Sequence, residues 1–311
     1  MSARFAPGTL LSLLPPLRGK VRANVVLGVQ SWFRVGGAAE VLVQPADAAD
    51  LATLLVALPP EVPVTCIGAA SNLIIRDGGI AGVVVKLGRG FAEVAADADG
   101  IVAGSAVLDT TLAEHAAAAS LTGLEFLCGI PGTLGGAVAM NAGAWGADVA
   151  GCLDWAEIVT RAGELMRLET MVLGLSYRHS SLPPGSVVVR LRFRARHGDR
   201  AAIAARMEEI RAARVAAQPV RARTGGSTFA NPPGMKAWEL IEAAGCRGLR
   251  RGGAMVSEKH CNFLLNMGDA TAADIEGLGE EVRRRVAAAS GVELEWEIRR
   301  VGIPLAGEVS R

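Results

Sequence analysis

The chain has 311 residues, 50% hydrophobic and 20% charged, which is enough for two or three domains with a substantial core. Its 32 basic and 31 acidic residues leave a net charge of +1, which argues against a protein whose main work is to grip nucleic acid. Five widely spaced cysteines without a C-x-x-C motif disfavour a zinc cage or a full disulfide framework and fit a reducing compartment.

Two apolar stretches could be mistaken for targeting or membrane segments. The one near the N-terminus is broken by Pro15 and Pro16 and has no small-residue cleavage pattern, so no signal peptide is expected. The uncharged run from Phe126 to Ala147 is long enough to span a membrane, but its glycines, Pro131 and Asn141 indicate turns instead. We therefore expect a soluble, cytoplasmic protein.

The first part of the chain is predicted to be an α/β unit that ends near residue 86. Asp47 is a suitable N-cap for a helix over Ala48–Leu58, which two prolines then stop. Short strands are expected at Val64–Ile67 and Val83–Leu87.

The middle of the chain reads mainly as strands. We predict a strand at Ile101–Ala103, a helix at Leu108–Ala119, and a hairpin of Leu153–Thr160 with Leu165–Glu169. Val187–Arg196 alternates apolar residues with arginines, which predicts a half-buried strand with a solvated basic face.

The last part alternates again between helices and strands, and the domain boundary before it falls near 200–220. Thr224–Gly234 is rich in Gly, Ser, Asn and Pro and is predicted to be a loop. The other predicted elements are helices at Asp199–Gln218, Met235–Ala244 and Thr271–Ser290, and strands at Asn262–Asn266 and Val292–Val301.

Several well-known functional motifs are missing. The sequence has no G-x-G-x-x-G after a strand, no P-loop, no H-E-x-x-H and no G-x-S-x-G. Its four histidines show no metal-ligand spacing. The sequence therefore gives no support for a Rossmann domain, a nucleotide triphosphatase or a metal site.

Two glycine-rich segments have the composition of ligand cradles. Gly68–Asp77 follows a strand, and its small residues would let backbone N–H groups approach an anion while Ser71 and Asn72 add donors. Gly129–Gly143 has enough positions without side chains for a large planar ligand to lie on its backbone. Taken singly, tight turns and close helix packing are the favoured interpretation of each segment.

Three further places could carry chemistry. Arg178 beside Tyr177 suits a carboxylate or phosphate ligand, although a surface arginine is the simpler interpretation. Ser227 follows two glycines without a visible base, which disfavours a nucleophile but allows a proton donor to a carbanion. Glu297 and Arg299, on one face of a predicted strand, are either a catalytic pair or an exposed ion pair, and spacing alone favours the ion pair.

Taken together and in this order, seven stretches closely resemble the UDP-N-acetylenolpyruvoylglucosamine reductase family, also called UDP-N-acetylmuramate dehydrogenase. The resemblance runs from about Asn24 to Gly302. The matching stretches are residues 32–37, 71–79, 123–126 with the glycine-rich run that follows, 177–180, 226–229, 259–263 and 294–299.

The resemblance implies an FAD enzyme of bacterial cell-wall synthesis. This family reduces the enolpyruvyl ether of UDP-N-acetylglucosamine to the lactyl ether of UDP-N-acetylmuramate. NADPH first reduces the flavin, NADP leaves, and the substrate enters the same site, so no separate nicotinamide domain is expected. The implied partners are these two small molecules, and the chain is expected to act as a monomer without nucleic acid or membrane insertion.

The implied fold class is α+β, with three parts. A two-part FAD-binding scaffold, like that of vanillyl-alcohol oxidase, would comprise residues 1–86 with a C-terminal return over 299–311, and residues 87–200. An α/β substrate-binding domain would comprise residues 201–298.

The resemblance also assigns roles to residues. Arg178 and a protonated Glu297 would stabilise the enolate, and Ser227 would be the general acid. The implied FAD-binding residues are Gly68, Ala69, Ala70, Ser71, Asn72, Leu73, Gly123, Gly129, Ile130, Pro131, Gly132, Thr133, Gly135, Gly136, Ala137, Val138, Arg178 and Arg299. The implied substrate-binding residues are Tyr177, Asn231, Lys259 and Asn262, and no metal is implied.

The sequence departs from the family pattern in three respects. The segment Gly68-Ala69-Ala70 stands where the family often has more glycine. Ala230 stands where the family often has lysine. The short span from Arg178 to Ser227 leaves no room for an inserted loop, so the chain resembles the shorter class that lacks a tyrosine lid. Two alternatives remain open: another FAD oxidoreductase on the same scaffold acting on an alcohol, and a non-enzymatic carrier of flavin or nucleotide sugar.

Overall fold

The structure is a computed structural model, and it describes residues 8–305. The predicted first domain begins at residue 1 and the predicted C-terminal return ends at residue 311. The parts of both predictions that concern residues 1–7 and 306–311 lie outside the described residues.

The N-terminal segment is built on a four-stranded sheet with the order β1-β2-β5-β3. Strand β1 is antiparallel to β2, and the other two pairings are parallel. Its elements are α1 (Thr9–Ser12), β1 (Lys20–Val26), β2 (Ala38–Gln44), α2 (Ala48–Ala57), β3 (Val64–Cys66), β4 (Leu73–Ile75) and β5 (Ile80–Val85). Asp47 caps α2 as predicted by accepting the Asp50 N–H at 3.0 Å.

The middle segment contains a five-stranded antiparallel sheet with the order β12-β11-β13-β7-β6. The predicted hairpin is confirmed as β11 and β12, and the arginine-rich strand as β13. The elements are β6 (Val94–Ala96), β7 (Gly100–Gly104), α3 (Asp109–Ala118), β8 (Leu121–Thr122), α4 (Leu134–Ala139), β9 (Gly143–Ala144), β10 (Ala147–Asp148), α5 (Val149–Cys152), β11 (Leu153–Val159), β12 (Leu165–Glu169), β13 (Val187–Arg194) and β14 (Arg196–His197).

The C-terminal segment has a three-stranded sheet, β15-β16-β17, against which α7 and α8 pack. Its elements are α6 (Arg200–Ala217), α7 (Ala237–Ala243), β15 (Arg250–Arg251), β16 (Ala254–Val256), β17 (Leu264–Asn266), α8 (Ala272–Ser290) and β18 (Arg299–Val301). Helix α6 instead buries Ile203, Met207 and Ile210 in the core of the middle segment. The first helix of the C-terminal segment therefore packs on the middle segment.

The uncharged run over 126–147 contains the short helix α4 and turns. Between residues 8 and 305, no helix has both the length and the apolar composition needed to cross a bilayer.

The prediction of one long strand at Val292–Val301 is wrong. Only Arg299–Val301 forms a strand, and it pairs in parallel with β4. The preceding residues keep the alternating burial, with Leu294 and Ile298 buried, but they lack a continuous neighbouring strand. An isolated bridge from Phe229 to Trp296 stands where a strand ladder was expected. The alternation in the sequence therefore reflects the burial of alternate side chains and not a place in a sheet.

Polar contacts join the C-terminal segment to the N-terminal segment. The carboxylate of Asp77 accepts the N–H groups of Ala272 and Ala273, both at 3.0 Å, and so caps the start of α8. Arg76 forms a two-point ion pair with Glu276, at 2.8 and 3.2 Å. Together with the β18–β4 pairing, these contacts fix the position of residues 297–301.

Candidate active site

A cleft of about 620 Å³ lies among the loops of all three segments. This volume is within the usual range for cofactor and ligand sites. Most of the predicted FAD-binding residues line it, as do all three predicted catalytic residues. The predicted residues among its lining are Gly68, Ala69, Ala70, Ser71, Asn72, Leu73, Gly129, Ile130, Pro131, Gly132, Thr133, Gly136, Ala137, Arg178, Ser227, Glu297 and Arg299.

The other predicted site residues do not line the cleft. They are Gly123, Gly135, Val138, Tyr177, Asn231, Lys259 and Asn262. Of these, Gly135 and Val138 belong to α4, whose neighbouring residues Gly136 and Ala137 do line it.

The two glycine-rich segments pack so closely on each other and on α3 that side chains cannot be added at Gly68 or Gly132. A Cβ at Gly68 would lie 2.3 Å from Thr133 Oγ1, and a Cβ at Gly132 would lie 2.7 Å from Asp109 Oδ2. Backbone with little side-chain bulk therefore borders the cleft at both segments, which favours an anionic or flat ligand.

Arg178 and Glu297 form an ion pair in the cleft. Arg178 Nε lies 2.7 Å from Glu297 Oε1, and Nη2 donates to the Gly143 carbonyl at 3.0 Å. Arg178 has a φ of 56°, in the left-handed region, inside a tight turn closed by Ser176 and His179. This strained backbone aims the guanidinium inward, consistent with a functional position.

The carboxyl of Glu297 is held at the junction of two segments. Its backbone N–H donates to the Thr228 carbonyl at 2.9 Å, and its carbonyl accepts Asn72 Nδ2 at 3.2 Å. Burial raises the pKa of Glu297 above its ordinary value, and this outweighs the lowering by Arg178. A raised pKa makes the neutral carboxylic acid more accessible near neutral pH.

Ser227 also lines the cleft, in a segment held by Asn262. Thr228 N donates to the Asn262 carbonyl at 2.7 Å, and Ser227 forms an isolated bridge with Phe263. Asn262 is buried, with 4% of the residue exposed. Its side-chain amide accepts the Phe229 N–H and donates to the Phe229 carbonyl. Its amide therefore supports the serine loop.

The other predicted substrate residues make contacts within the protein. The Tyr177 hydroxyl accepts the Asn231 N–H at 3.3 Å, and the Tyr177 ring lies 4.9 Å below the Arg178 guanidinium. Asn231 Oδ1 accepts the Ala237 N–H at 3.0 Å and so caps α7. Lys259 Nζ donates to the Val215 carbonyl at 2.6 Å.

Sequence reasoning missed several residues that line the cleft. They are Trp32, Cys66, Asp109, Trp145, Arg214 and Thr224, among others. Trp32 begins one of the stretches that carry the family resemblance, which could have indicated it. Asp109 read only as part of a helix, because its burial depends on the distant residues around Gly132.

Comparisons with known proteins agree with this arrangement. The sequence pattern of an FAD binding domain matches residues 39–169. That of the UDP-N-acetylenolpyruvoylglucosamine reductase C-terminal domain matches residues 218–301. The two-part match, with the mixed α and β elements, confirms the expected fold class.

Relatives that match over nearly their whole length are named UDP-N-acetylenolpyruvoylglucosamine reductase. A UDP-N-acetylenolpyruvoylglucosamine reductase of Acidiphilium cryptum is 68% identical over 294 residues, which is 94% of this chain and 95% of the relative. One from Granulibacter bethesdensis is 66% identical over 93% of both chains.

A solved structure gives the same result at the level of the fold. The crystal structure of UDP-N-acetylenolpyruvylglucosamine reductase (MurB) from Thermus caldophilus matches with a TM-score of 0.79 and 35% identity. The match covers 92% of this chain and 100% of that one. On these similarities in sequence and structure, the chain belongs to the UDP-N-acetylenolpyruvoylglucosamine reductase family.

Proposed function

We propose that this cleft performs the NADPH-dependent, FAD-mediated reduction of UDP-N-acetylglucosamine enolpyruvate to UDP-N-acetylmuramate, a step toward peptidoglycan precursors. The observation that supports this most directly is the 2.7 Å pairing of Arg178 with the buried Glu297, in a cleft that Ser227 also lines. An arginine, a carboxyl of raised pKa and a hydroxyl are the groups that reduction of an enol ether of a carboxylate requires.

The residues around the cleft fit FAD. The segments 68–73 and 129–137 both contribute residues to the cleft lining, and their backbone N–H groups would bind the diphosphate. The glycine-rich run carries little side-chain bulk, which leaves room for a flat ring. When bound, FAD would accept two electrons from NADPH and supply a hydride to the substrate. Arg299, whose Nε donates to Met140 Sδ at 3.4 Å, would border the ring.

Arg178 and Glu297 would stabilise the charge that develops on the substrate. Hydride addition to the terminal alkene carbon leaves an electron pair delocalised into the substrate carboxylate, which becomes a dianion. The Arg178 guanidinium balances this charge, and a neutral Glu297 donates a hydrogen bond to it without adding repulsion. Both groups are already positioned before substrate arrives, so little reorganisation is needed.

Ser227 would complete the reaction. Its O–H would donate the proton to the carbon that bears the carboxylate, forming the new C–H bond, and the resulting serine alkoxide would recover a proton from water. The loop that carries Ser227 is fixed by Asn262, so we propose that Asn262 acts on substrate through this loop. Tyr177, Asn231 and Lys259 would border the path of the uridine diphosphate outside the cleft.

The proposed setting follows from the same chemistry. NADPH and the sugar nucleotide would use the cleft in turn, and the chain would act as a cytoplasmic monomer. We propose the division into residues 1–86 with 299–311, 87–200 and 201–298, with α6 packed on the second unit. At Ala230, the N–H donates to Glu295 O at 2.9 Å, and no cationic side chain is offered to a phosphate there.

The experiment is a pair of anaerobic half-reactions on Ser227→Ala. NADPH should bleach the flavin of the variant at a rate close to wild type, because hydride acceptance does not use Ser227. The enolpyruvyl substrate should then fail to restore the colour within the wild-type time. Ser180→Ala is the control, because the Ser180 hydroxyl donates to the Ala139 carbonyl and does not line the cleft. Normal product formation by Ser227→Ala would exclude Ser227 as the proton donor.

A further inference from the structure

Asp109 is a buried carboxyl for which the proposed reaction has no use. It is the first residue of α3 and is 1% exposed, yet it belongs to the lining of the cleft. Neither carboxyl oxygen has a hydrogen-bond partner among residues 8–305. A buried carboxyl without partners is rare in folded proteins and requires an explanation.

The position of Asp109 is fixed by its backbone. Its N–H donates to the Gly132 carbonyl at 3.2 Å, and the preceding residue, Leu108, bridges to Thr133. A Cβ placed on Gly132 would lie 2.7 Å from Asp109 Oδ2 and 3.7 Å from Ser71 Oγ. Gly132 therefore lies between the Asp109 carboxyl and the Ser71 hydroxyl, at the point where the two glycine-rich segments face each other.

Among residues 8–305, burial is the sole cause of the pKa shift of Asp109, so no neighbouring charge compensates its carboxyl. The charged groups on the elements that pack against α3 include Glu125, in the turn over 125–129, and Arg211 and Arg214 on α6. The segments packed around it, residues 68–73, 104–108 and 129–136, contain no ionisable side chain. On its own helix, Glu114 and His115 lie more than a turn away. Burial alone raises its pKa, to about 8, so the carboxyl is neutral at physiological pH and carries an O–H donor.

We infer that Asp109 is a cofactor-binding residue, which donates a hydrogen bond from its neutral carboxyl to an oxygen of the FAD diphosphate. This inference rests on the proposed binding of FAD in the cleft. A neutral acid is required because an ionised carboxylate would repel the phosphate. When FAD is bound, this hydrogen bond would give the buried O–H of Asp109 an acceptor and a phosphate oxygen a donor.

The inference predicts a pH dependence of FAD affinity with a definite sign. Well below pH 8 the carboxyl is largely neutral, and the affinity for FAD is nearly constant. Above pH 8 the fraction of neutral Asp109 falls about tenfold for each pH unit, and the affinity for FAD falls with it. An amide at this position cannot ionise and should remove this dependence.

The test is titration of the full-length apoprotein with FAD at pH 7 and pH 9.5, followed by quenching of tryptophan fluorescence. Trp32 and Trp145 line the cleft and serve as reporters. At pH 7, Asp109→Ala should raise the Kd for FAD at least about tenfold, and Asp109→Asn, which keeps an N–H donor, should stay within about threefold. Between the two pH values wild type should weaken more than Asp109→Asn.

The melting temperature of each apoprotein separates binding from folding. Removal of an unpartnered buried carboxyl should leave the apoprotein of Asp109→Ala as stable as wild type or more stable. Ser105→Ala is the matched control, because the Ser105 hydroxyl is also buried and unpartnered but does not line the cleft, and its Kd should equal that of wild type.

Two results would overturn the inference while FAD binding itself stands. One is that Asp109→Ala binds FAD at pH 7 with the same Kd as wild type. The other is that the Kd of Asp109→Asn changes with pH as much as that of wild type. A wild-type protein that binds no FAD would instead contradict the proposed function, and this inference with it.

Discussion

The side-chain amide of Asn262 binds both backbone groups of Phe229, accepting its N–H at 2.9 Å and donating to its carbonyl at 2.8 Å. Phe229 is 33 residues away in the chain and two residues after Ser227. The Asn262 amide thus makes the pair of hydrogen bonds that a neighbouring β-strand would make to Phe229. It holds the loop that carries the proposed proton donor, Ser227, in place.

We predict that Asn262→Ala slows product formation more than flavin reduction. The substitution leaves two buried backbone groups without partners, at a cost of about 1–3 kcal/mol each, and loosens the Ser227 loop. Reoxidation of the flavin by the enolpyruvyl substrate should slow at least about tenfold, while reduction by NADPH changes only a few-fold. Stopped-flow absorbance measures both rates.

Asn266→Ala is the matched control for this prediction. Asn266 is equally buried, but it binds the Phe33 carbonyl and the N–H groups of Gly268 and Ala270. It should lower stability without a selective effect on reoxidation. Equal losses in both half-reactions of Asn262→Ala would show that Asn262 is only structural.

The raised pKa of Glu297 predicts how the second half-reaction depends on pH. In the proposed reaction the neutral form of Glu297 is the active one, so the rate of flavin reoxidation should fall as pH rises through the raised pKa of Glu297. Glu297→Gln keeps a hydrogen-bond donor but cannot ionise. Its reoxidation rate should therefore be lower than that of wild type but should not fall as pH rises. Glu297→Ala should lower the rate by about 10²–10³.

Rate constants for reoxidation from pH 5.5 to 9 would check this prediction. The reduction step by NADPH serves as the internal control, since it does not use the Glu297 proton. A rate that rises with pH in wild type, or an unchanged profile in Glu297→Gln, would mean that Glu297 acts as an anion.

The cap that Asp77 places on α8 predicts a link between stability and cofactor binding. Asp77→Ala removes two hydrogen bonds to the helix N-terminus and should cost about 1–2 kcal/mol. Because this cap joins two segments that form the cleft, the variant should also bind FAD more weakly. Urea unfolding and FAD titration measure the two effects.

Asp199→Ala provides the comparison. Asp199 caps α6 by accepting the Ala202 N–H at 2.8 Å, so its cap lies within its own helix. It should lose about 1 kcal/mol of stability and keep its affinity for FAD. If Asp77→Ala also kept full affinity, the cap would be a local feature of α8.

Local patterns in the sequence predicted much of the fold. Asp47 marked the start of α2, and regular spacing placed α8 within one residue. The alternation of arginines with apolar residues found β13. These elements are specified by their own residues, through capping and amphipathic periodicity.

The features that the sequence did not predict depend on distant residues. Strands β1 and β2 were missed, and β1 is largely exposed, so it shows no clear burial pattern. The stretch before Arg299 alternates like a strand but is held by isolated contacts to the serine loop. Asp109 had no signal at all, since its environment is created by Gly132 and the facing loop.

The measurement that tests the central claim most directly is the anaerobic visible spectrum of the purified protein with FAD, during addition of NADPH and then of UDP-N-acetylglucosamine enolpyruvate. The account predicts that NADPH bleaches the flavin and that the substrate restores its colour in stoichiometric amount, with UDP-N-acetylmuramate as product. A flavin that bleaches with NADPH but is not reoxidised by this substrate would contradict the proposed reaction.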